Sequence, residues 1–295
     1  MKNKTDHDGR NRWERRQADR EESMQKNLEI MQKPPTLNLP EEDGMTQVAM
    51  TASLQKLIQA SLEGEPTLEK QAQVFEHFIG GIDHYKKLFS KVNRPLDRAH
   101  SMQRMVDEVV RVDTEKRKEI WSEVTCKAGC SACCHIQVSV NLEEAMLLVG
   151  HAFEKGIELD WELTARQAEL QKKPEPEYIK EPKAERRCGF LTNAGMCGVY
   201  EHRPASCRKY FVANDPKDCD VDLNPTKETK VLALAEAELI TSGMMDIDHK
   251  KIGYLPEMLL QAKEIMHMQH CNWCQKSTPT IETDCITCGL SKGHI

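Results

Sequence analysis

The sequence predicts a mostly α protein: a helical chain broken by an irregular cysteine-rich centre with a short β-hairpin, and closed by a pair of C-terminal knuckles. Three observations carry this expectation. Apolar residues recur at three- and four-residue spacing through most of residues 45–124 and again after the centre. Eight cysteines crowd residues 126–219, four of them within the nine positions Cys126-Lys-Ala-Gly-Cys130-Ser-Ala-Cys133-Cys134. Four more stand near the end as two Cys-x2-Cys pairs.

The elements follow in chain order. Residues 1–44 read as a disordered charged tail, because both signs alternate through Arg10–Arg20 without an apolar face and Pro34, Pro35 and Pro40 break any helix. Residues 45–124 form a helical segment. Met50, Leu54, Leu57 and Ile58 share a face that Gly64 and Pro66 close. Leu68–Val92 carries Val74, Phe78, Ile82, Tyr85 and Phe89, with Gly80-Gly81 weakening its middle. Pro95 suits the first turn of a third helix striped by Ala99, Met102, Met105, Val106, Val109 and Val110. Asn141 and Glu144 are spaced as a capping pair for a helix ending at Gly156. Another helix spans about Trp161–Lys172, and Pro174–Pro182 is a linker or lid. Cys188–Tyr200 reads as the hairpin, turning near Asn193–Gly195. Residues 223–269 add a helical segment packed on the centre. Its first helix opens at Asn224-Pro225 and ends at Gly243, and its second runs from Pro256 to about Gln269.

Bulk properties narrow the function classes. A chain of 295 residues makes one large domain or two ordinary ones. With 39% hydrophobic, 5% aromatic and 30% charged residues the core is thin, so cross-linking ligands would add stability. A net charge of −6 disfavours a general nucleic-acid or anionic-membrane surface. No run reaches the ~18 apolar residues that span a bilayer, and the first residues lack the apolar stretch of a secretory signal. These features predict a cytoplasmic protein. In that compartment thiols stay reduced, and converging thiols bind soft metals rather than forming disulfides.

The main site is therefore expected to be a metal-held centre in a domain spanning 125–222, with Cys126, Cys130, Cys133, Cys134, Cys188, Cys197, Cys207 and Cys219 as ligands. The Cys130-x2-Cys133 loop lets two thiolates grip one ion. Adjacent side chains on extended backbone point oppositely, so Cys133 and Cys134 suit two neighbouring centres, or a ligand beside a structural or redox thiol. Eight thiols can hold two tetrahedral ions, or one iron–sulfur cluster with thiols to spare. Tyr200 and Tyr210 would shield the site. Arg203 and Arg208 would ease the gathering of thiolates, bind an anionic substrate, or pair with Glu201 and Asp215. His135 and His202 are conceivable further ligands.

These residues resemble a family. Cys126-x3-Cys130-x2-Cys133-Cys134, followed by Cys188-x8-Cys197-x2-Tyr200-x2-Arg203-Pro204-x2-Cys207-Arg208-x-Tyr210, is similar to the CxxCxxCC cysteine-cluster proteins of the YkgJ type, described as zinc- or iron-chelating. The resemblance covers roughly residues 126–220, and its second half is the more specific. It implies a zinc, iron or cluster site without an assigned activity. The first spacing here is x3 where the family name has x2.

Residues 270–295 hold a second motif, Cys271-x2-Cys274 and Cys285-x2-Cys288, which predicts a zinc-ribbon-like site with four thiolates on one zinc ion. Such a ribbon, or the tail, offers a docking point for a protein partner. Three function classes follow. The first is a zinc- or iron-binding cysteine-cluster protein. The second is an iron–sulfur enzyme, of protein lysine methylase or redox type. The third is a zinc-ribbon adaptor. The sequence holds no P-loop, no Gly-x-Ser-x-Gly and no His-Glu-x2-His.

Overall fold

Threonine, asparagine and aspartate side chains start four of the helices, each accepting an amide that the helix itself leaves unbonded. Thr51 accepts from Leu54 to open α1 (Ala52–Glu63), and Thr67 from Lys70 to open α2 (Leu68–Ser90). Pro95 stands at the first turn of α3 (Pro95–Lys116), and a short α4 (Lys118–Trp121) follows. The computed structural model describes residues 51–265 apart from 66, 128, 174, 214, 224–228 and 249–250, together with strands at 266–270, 277–281 and 284–285. The expected 1–44 tail lies outside the described residues. So do Cys271, Cys274 and Cys288 of the knuckles, while Cys285 is described by its backbone alone.

Asn141 and Glu144 form the reciprocal capping pair expected of them at the start of α5 (Leu142–Lys155). That helix stops at Gly156, which takes the left-handed conformation (φ 65°) open to glycine. Asp160 caps α6 (Trp161–Leu170). The Pro174–Pro182 stretch contains a single helical turn, α7 (Glu175–Tyr178). Then come α8 (Ala205–Arg208), α9 (Ala235–Met245) and α10 (Leu255–Ile265). The protein is mostly helical, with a small antiparallel pair of β1 (Ser139–Asn141) and β2 (Ile252–Tyr254) in the register Val140↔Gly253. Further along, β3 (Met266–His270), β4 (Ser277–Ile281) and β5 (Asp284–Cys285) pair in chain order.

Two apolar layers hold these helices. In one, Ile82, Tyr85 and Phe89 of α2 meet Ala237 and Ile240 of α9, all almost fully buried. The crossing is close because both partners present glycine. A Cβ on Gly243 would lie 2.5 Å from Tyr85 Cβ, and one on Gly81 would lie 2.8 Å from Leu239 Cδ1. Gly81 is therefore the seat of a helix contact inside an unbroken α2, and Gly243 lies within α9 rather than ending it. In the other layer Val140, Leu142, Ala145, Leu148, Leu255, Met258 and Leu259 pack together with Phe190 and Val199, and Cys188 and Cys197 lie against them.

Three expectations are corrected. The 188–200 hairpin keeps its turn, where Thr192 N–H donates to Met196 O (2.8 Å) and Gly195 has φ 74°, but its pairing shrinks to one Leu191↔Cys197 bridge. Its first strand cannot extend because Cys188 N–H is already bonded to Cys134 O (2.8 Å). Asn224 and Pro225, expected to open a helix, lie outside the described residues; the helix expected to run on through Val231 and Leu234 begins at Ala235, since residues 230–232 bond to the extended backbone of 211–213. The last helix ends at Ile265, not Gln269, and the chain turns into β3.

Candidate metal centre

Backbone hydrogen bonds bring the cysteine segments together. The Thr125 amide donates to Val212 O (3.0 Å) and the Val212 amide to the Cys126 sulfur (3.4 Å), which ties the first thiol to the strand-like 211–213 stretch. Gly129, with φ 82°, turns the chain so that Cys130 N–H reaches Lys127 O (3.0 Å). Residues 132–135 then form a 3-10 turn, and Cys188 is stapled to Cys134. Pro204 fixes the entry to α8, where Cys207 N–H donates back to Pro204 O (2.9 Å). Cys219 ends a second 3-10 turn, 216–219, that packs on the first.

The result is a cavity of about 320 Å³ whose wall includes Cys126, Cys130, Cys133, Cys134, Cys188, Cys197 and Cys207. Cys219 is not part of that wall but interacts electrostatically with Cys126, Cys130 and Cys133. All eight are free thiols; Cys126 and Cys133 are exposed and the others half-buried, so the tetrad side opens to solvent. No carboxylate or imidazole lines the cavity among the described residues. That thiol-rich set suits a soft or borderline ion such as zinc or iron, and lacks the carboxylates on which magnesium and calcium sites are usually built. The sulfurs line the wall rather than meet at one point: among the described residues no group of three or more Cys, His, Asp or Glu is drawn together closely enough to hold an ion. Ligation would draw several of these sulfurs closer together, which cysteine side chains can do by changing χ1 rotamer.

Electrostatics divide the thiols into two sets. Cys126, Cys130 and Cys219 interact with one another on one side, and Cys188, Cys197 and Cys207 on the other. Cys133 belongs to both, since Cys126, Cys188, Cys197, Cys207 and Cys219 all feel its charge. Burial pushes Cys188 and Cys219 up to about 11, and raises Cys126, Cys197 and Cys207. Cys133 is raised first by a hydrogen bond with Cys134. That contact arises because the backbone at 132–135 is a 3-10 turn, not the extended chain that would point the two side chains apart. Thiols this weakly acidic are protonated at neutral pH, so an ion must displace protons to bind.

The two arginines part company. Arg203 lines the cavity with its guanidinium 4.2 Å from the centroid of the Tyr200 ring, and it pairs with neither Glu201 nor Asp215. Arg208 is buried and directed away from the thiols, donating to Asp107 and to the carbonyls of Arg203 and Glu201. Tyr210 lines the cavity, and Tyr200 stands at its rim, 57% exposed. His135 Nδ1 hydrogen-bonds Ser131 O (3.1 Å), the ring donating and the carbonyl accepting, and His202 lies against His151 with ring centroids 3.9 Å apart; neither lines the cavity.

Three residues that sequence reasoning did not assign to the site hold it in place. Arg186, with a fully buried side chain, donates from Nε to Glu181 O (2.8 Å), from Nη1 to His135 O (3.0 Å) and from Nη2 to Asp222. Lys209, next to Arg208, forms a buried pair with Glu238 of α9. Glu144 does more than cap its own helix: its other oxygen accepts from the Ala205 amide (2.7 Å) and so docks the turn that carries Cys207. Nothing in the linear pattern separates these buried charges from the solvated ones around them. Only the exclusion of water from their surroundings does so.

Burial raises the Glu144 carboxyl to about 7, against the opposing pull of the Ala205 and Asn141 amides and of Arg208 and Lys209. The folded protein therefore holds this proton where the unfolded chain, with an ordinary value of 4.5, has lost it. Stability from this group is fully present below about pH 4.5 and is lost as pH rises to about 7, a change on the order of 3 kcal/mol. Glu144→Gln should erase that decline, measured as the difference between urea unfolding curves of the two proteins from pH 4.5 to 8. Parallel profiles would show that the carboxyl titrates normally.

Residues 125–224, about a third of the chain, match the family model CxxCxxCC, described as "Putative zinc- or iron-chelating domain". No curated protein matches the chain, and no solved structure does. Among the described residues no helix is long and apolar enough to cross a membrane.

Proposed function

We propose that the protein binds zinc or iron through the cysteine cavity, with ligands drawn from Cys126, Cys130, Cys133, Cys134, Cys188, Cys197, Cys207 and Cys219. One observation carries the reading: seven free thiols from separate segments line a single cavity that, among the described residues, has no carboxylate or imidazole in its wall. When bound, the ion supplies a positive centre that the thiols neutralise as they lose their protons. The chain contributes the staple between Cys134 and Cys188, the Gly129 turn, and the Pro204 turn that carries Cys207. The division of the thiols into two sets sharing Cys133 favours two neighbouring ions. The cavity's volume, well beyond the space of one tetrahedral ion, also favours a second reading, an iron–sulfur cluster serving a redox or protein lysine methylase-like enzyme.

The C-terminal motif Cys271, Cys274, Cys285 and Cys288 is assigned a separate zinc ion on its spacing, in a module of 270–295 suited to docking a protein partner. A cytoplasmic setting accords with thiols kept reduced. The test is to purify the full chain without oxygen, record its visible spectrum, and measure zinc, iron and acid-labile sulfide per chain. Colourless protein with about three zinc ions is the expected result, two for the main centre and one for the knuckles. Brown protein containing sulfide would establish the cluster reading instead. Protein without either metal would overturn both.

A further inference from the structure

A divalent ion held by four thiolates carries two surplus negative charges, and such a surplus beside an apolar wall is costly unless a cation answers it. Phe190, Val199, Leu255 and Leu259 make up much of that wall. One side chain stands out as the source of the cation. Arg203 lines the cavity with its guanidinium over the Tyr200 ring, a cation–π contact that favours this placement of the fork. Its Nε is buried and donates to no protein acceptor, although a buried donor of this kind is seldom left unmet. No carboxylate among the described residues neutralises it. Among the described residues it is also the arginine that thiols of both sets feel: Cys126 on one side, Cys197 and Cys207 on the other, and Cys133 between them.

We propose that Arg203 is the charge-balancing partner of the metal centre, its Nε–H donating to a cysteine sulfur once that sulfur is a thiolate and its guanidinium offsetting the surplus charge of both thiol sets. This rests on the metal-binding reading above. Arg208, already satisfied by Asp107 and two carbonyls, does not share the role. The guanidinium acts on the ligands and not on the ion, so its removal weakens binding without removing a donor.

The experiment uses the full chain with Zn²⁺ and Co²⁺ as probes, in wild type, Arg203→Gln, Arg203→Lys and a surface control, Arg166→Gln, which breaks only the Arg166–Glu185 pair. Zinc affinity is read by competition with a chromophoric chelator, and the sulfur-to-cobalt charge-transfer band by absorption. Arg203→Gln should lose about 10- to 100-fold in affinity. Arg203→Lys should recover part of the affinity, because it restores the charge. The band should shift in both Arg203 variants, because both lose the Nε–H, and the control should match wild type. Wild-type affinity and an unshifted band in Arg203→Gln would overturn the proposal while leaving the metal reading intact. Should Arg203→Gln fail to fold, an unshifted band in Arg203→Lys is the overturning result. A wild-type protein that takes up neither ion would remove the metal reading itself, and this inference with it.

Discussion

Cys133→Ser is expected to strip the main centre of most of its metal, whereas Cys219→Ser should lose a smaller share. The reason is position. Cys133 interacts with thiols on both sides of the cavity and is in contact with Cys134, while Cys219 approaches the site from outside the wall and couples to the Cys126, Cys130 and Cys133 side alone. Serine is close to cysteine in size but replaces the soft sulfur with a hydroxyl, so the helical frame should stand, and any loss reports on ligation. Metal per chain after anaerobic reconstitution, compared across the two variants and corrected for the knuckles with Cys274→Ala, is the measurement. Equal losses from Cys133→Ser and Cys219→Ser would mean that no thiol is shared between the sets.

The largest structural effect is expected from Arg186→Met. Methionine fills comparable volume but abandons Glu181 O and His135 O and leaves Asp222 with only the longer Lys183 contact at 3.9 Å. Asp222 is 34% exposed and can be rehydrated, so most of the loss comes from the two carbonyls and from the packing of the fully buried side chain. A destabilisation of about 3–5 kcal/mol follows from these costs. Urea unfolding should show it as a lower midpoint at unchanged slope. Since Arg186 clamps the tetrad turn beside Cys188, modification of the native cavity thiols by a maleimide should also quicken. A change below about 1 kcal/mol would place Arg186 among ordinary surface charges.

Much of this was readable from residue order, and the unreadable part has a physical cause. Periodic apolar stripes located α1, α2, α3 and α5, and the Asn141–Glu144 spacing announced its capping pair because both ends of that interaction lie within one helical turn. The grouping of thiols was legible for the same reason: four of them cannot stray far apart within nine residues. Failures came where distant segments decide. Gly243 looks like a helix stop until α2 is placed against it, and residues 230–232 look helical until they find 211–213 to bond with. Arg203 and Arg208, five positions apart in one motif, received a single joint reading. The fold gives one to the cavity and the other to Asp107 of α3.

The Cys188–Cys134 staple has a consequence for timing. Small zinc domains commonly stay unfolded until the ion arrives, so capture waits on a search by a loose chain. Here two segments more than fifty residues apart are held side by side by the Cys188 amide on the Cys134 carbonyl and by Arg186 on the His135 carbonyl, next to a buried apolar core. For the binding proposed above, exchange of an ion would then call on side-chain movement and proton loss more than on refolding.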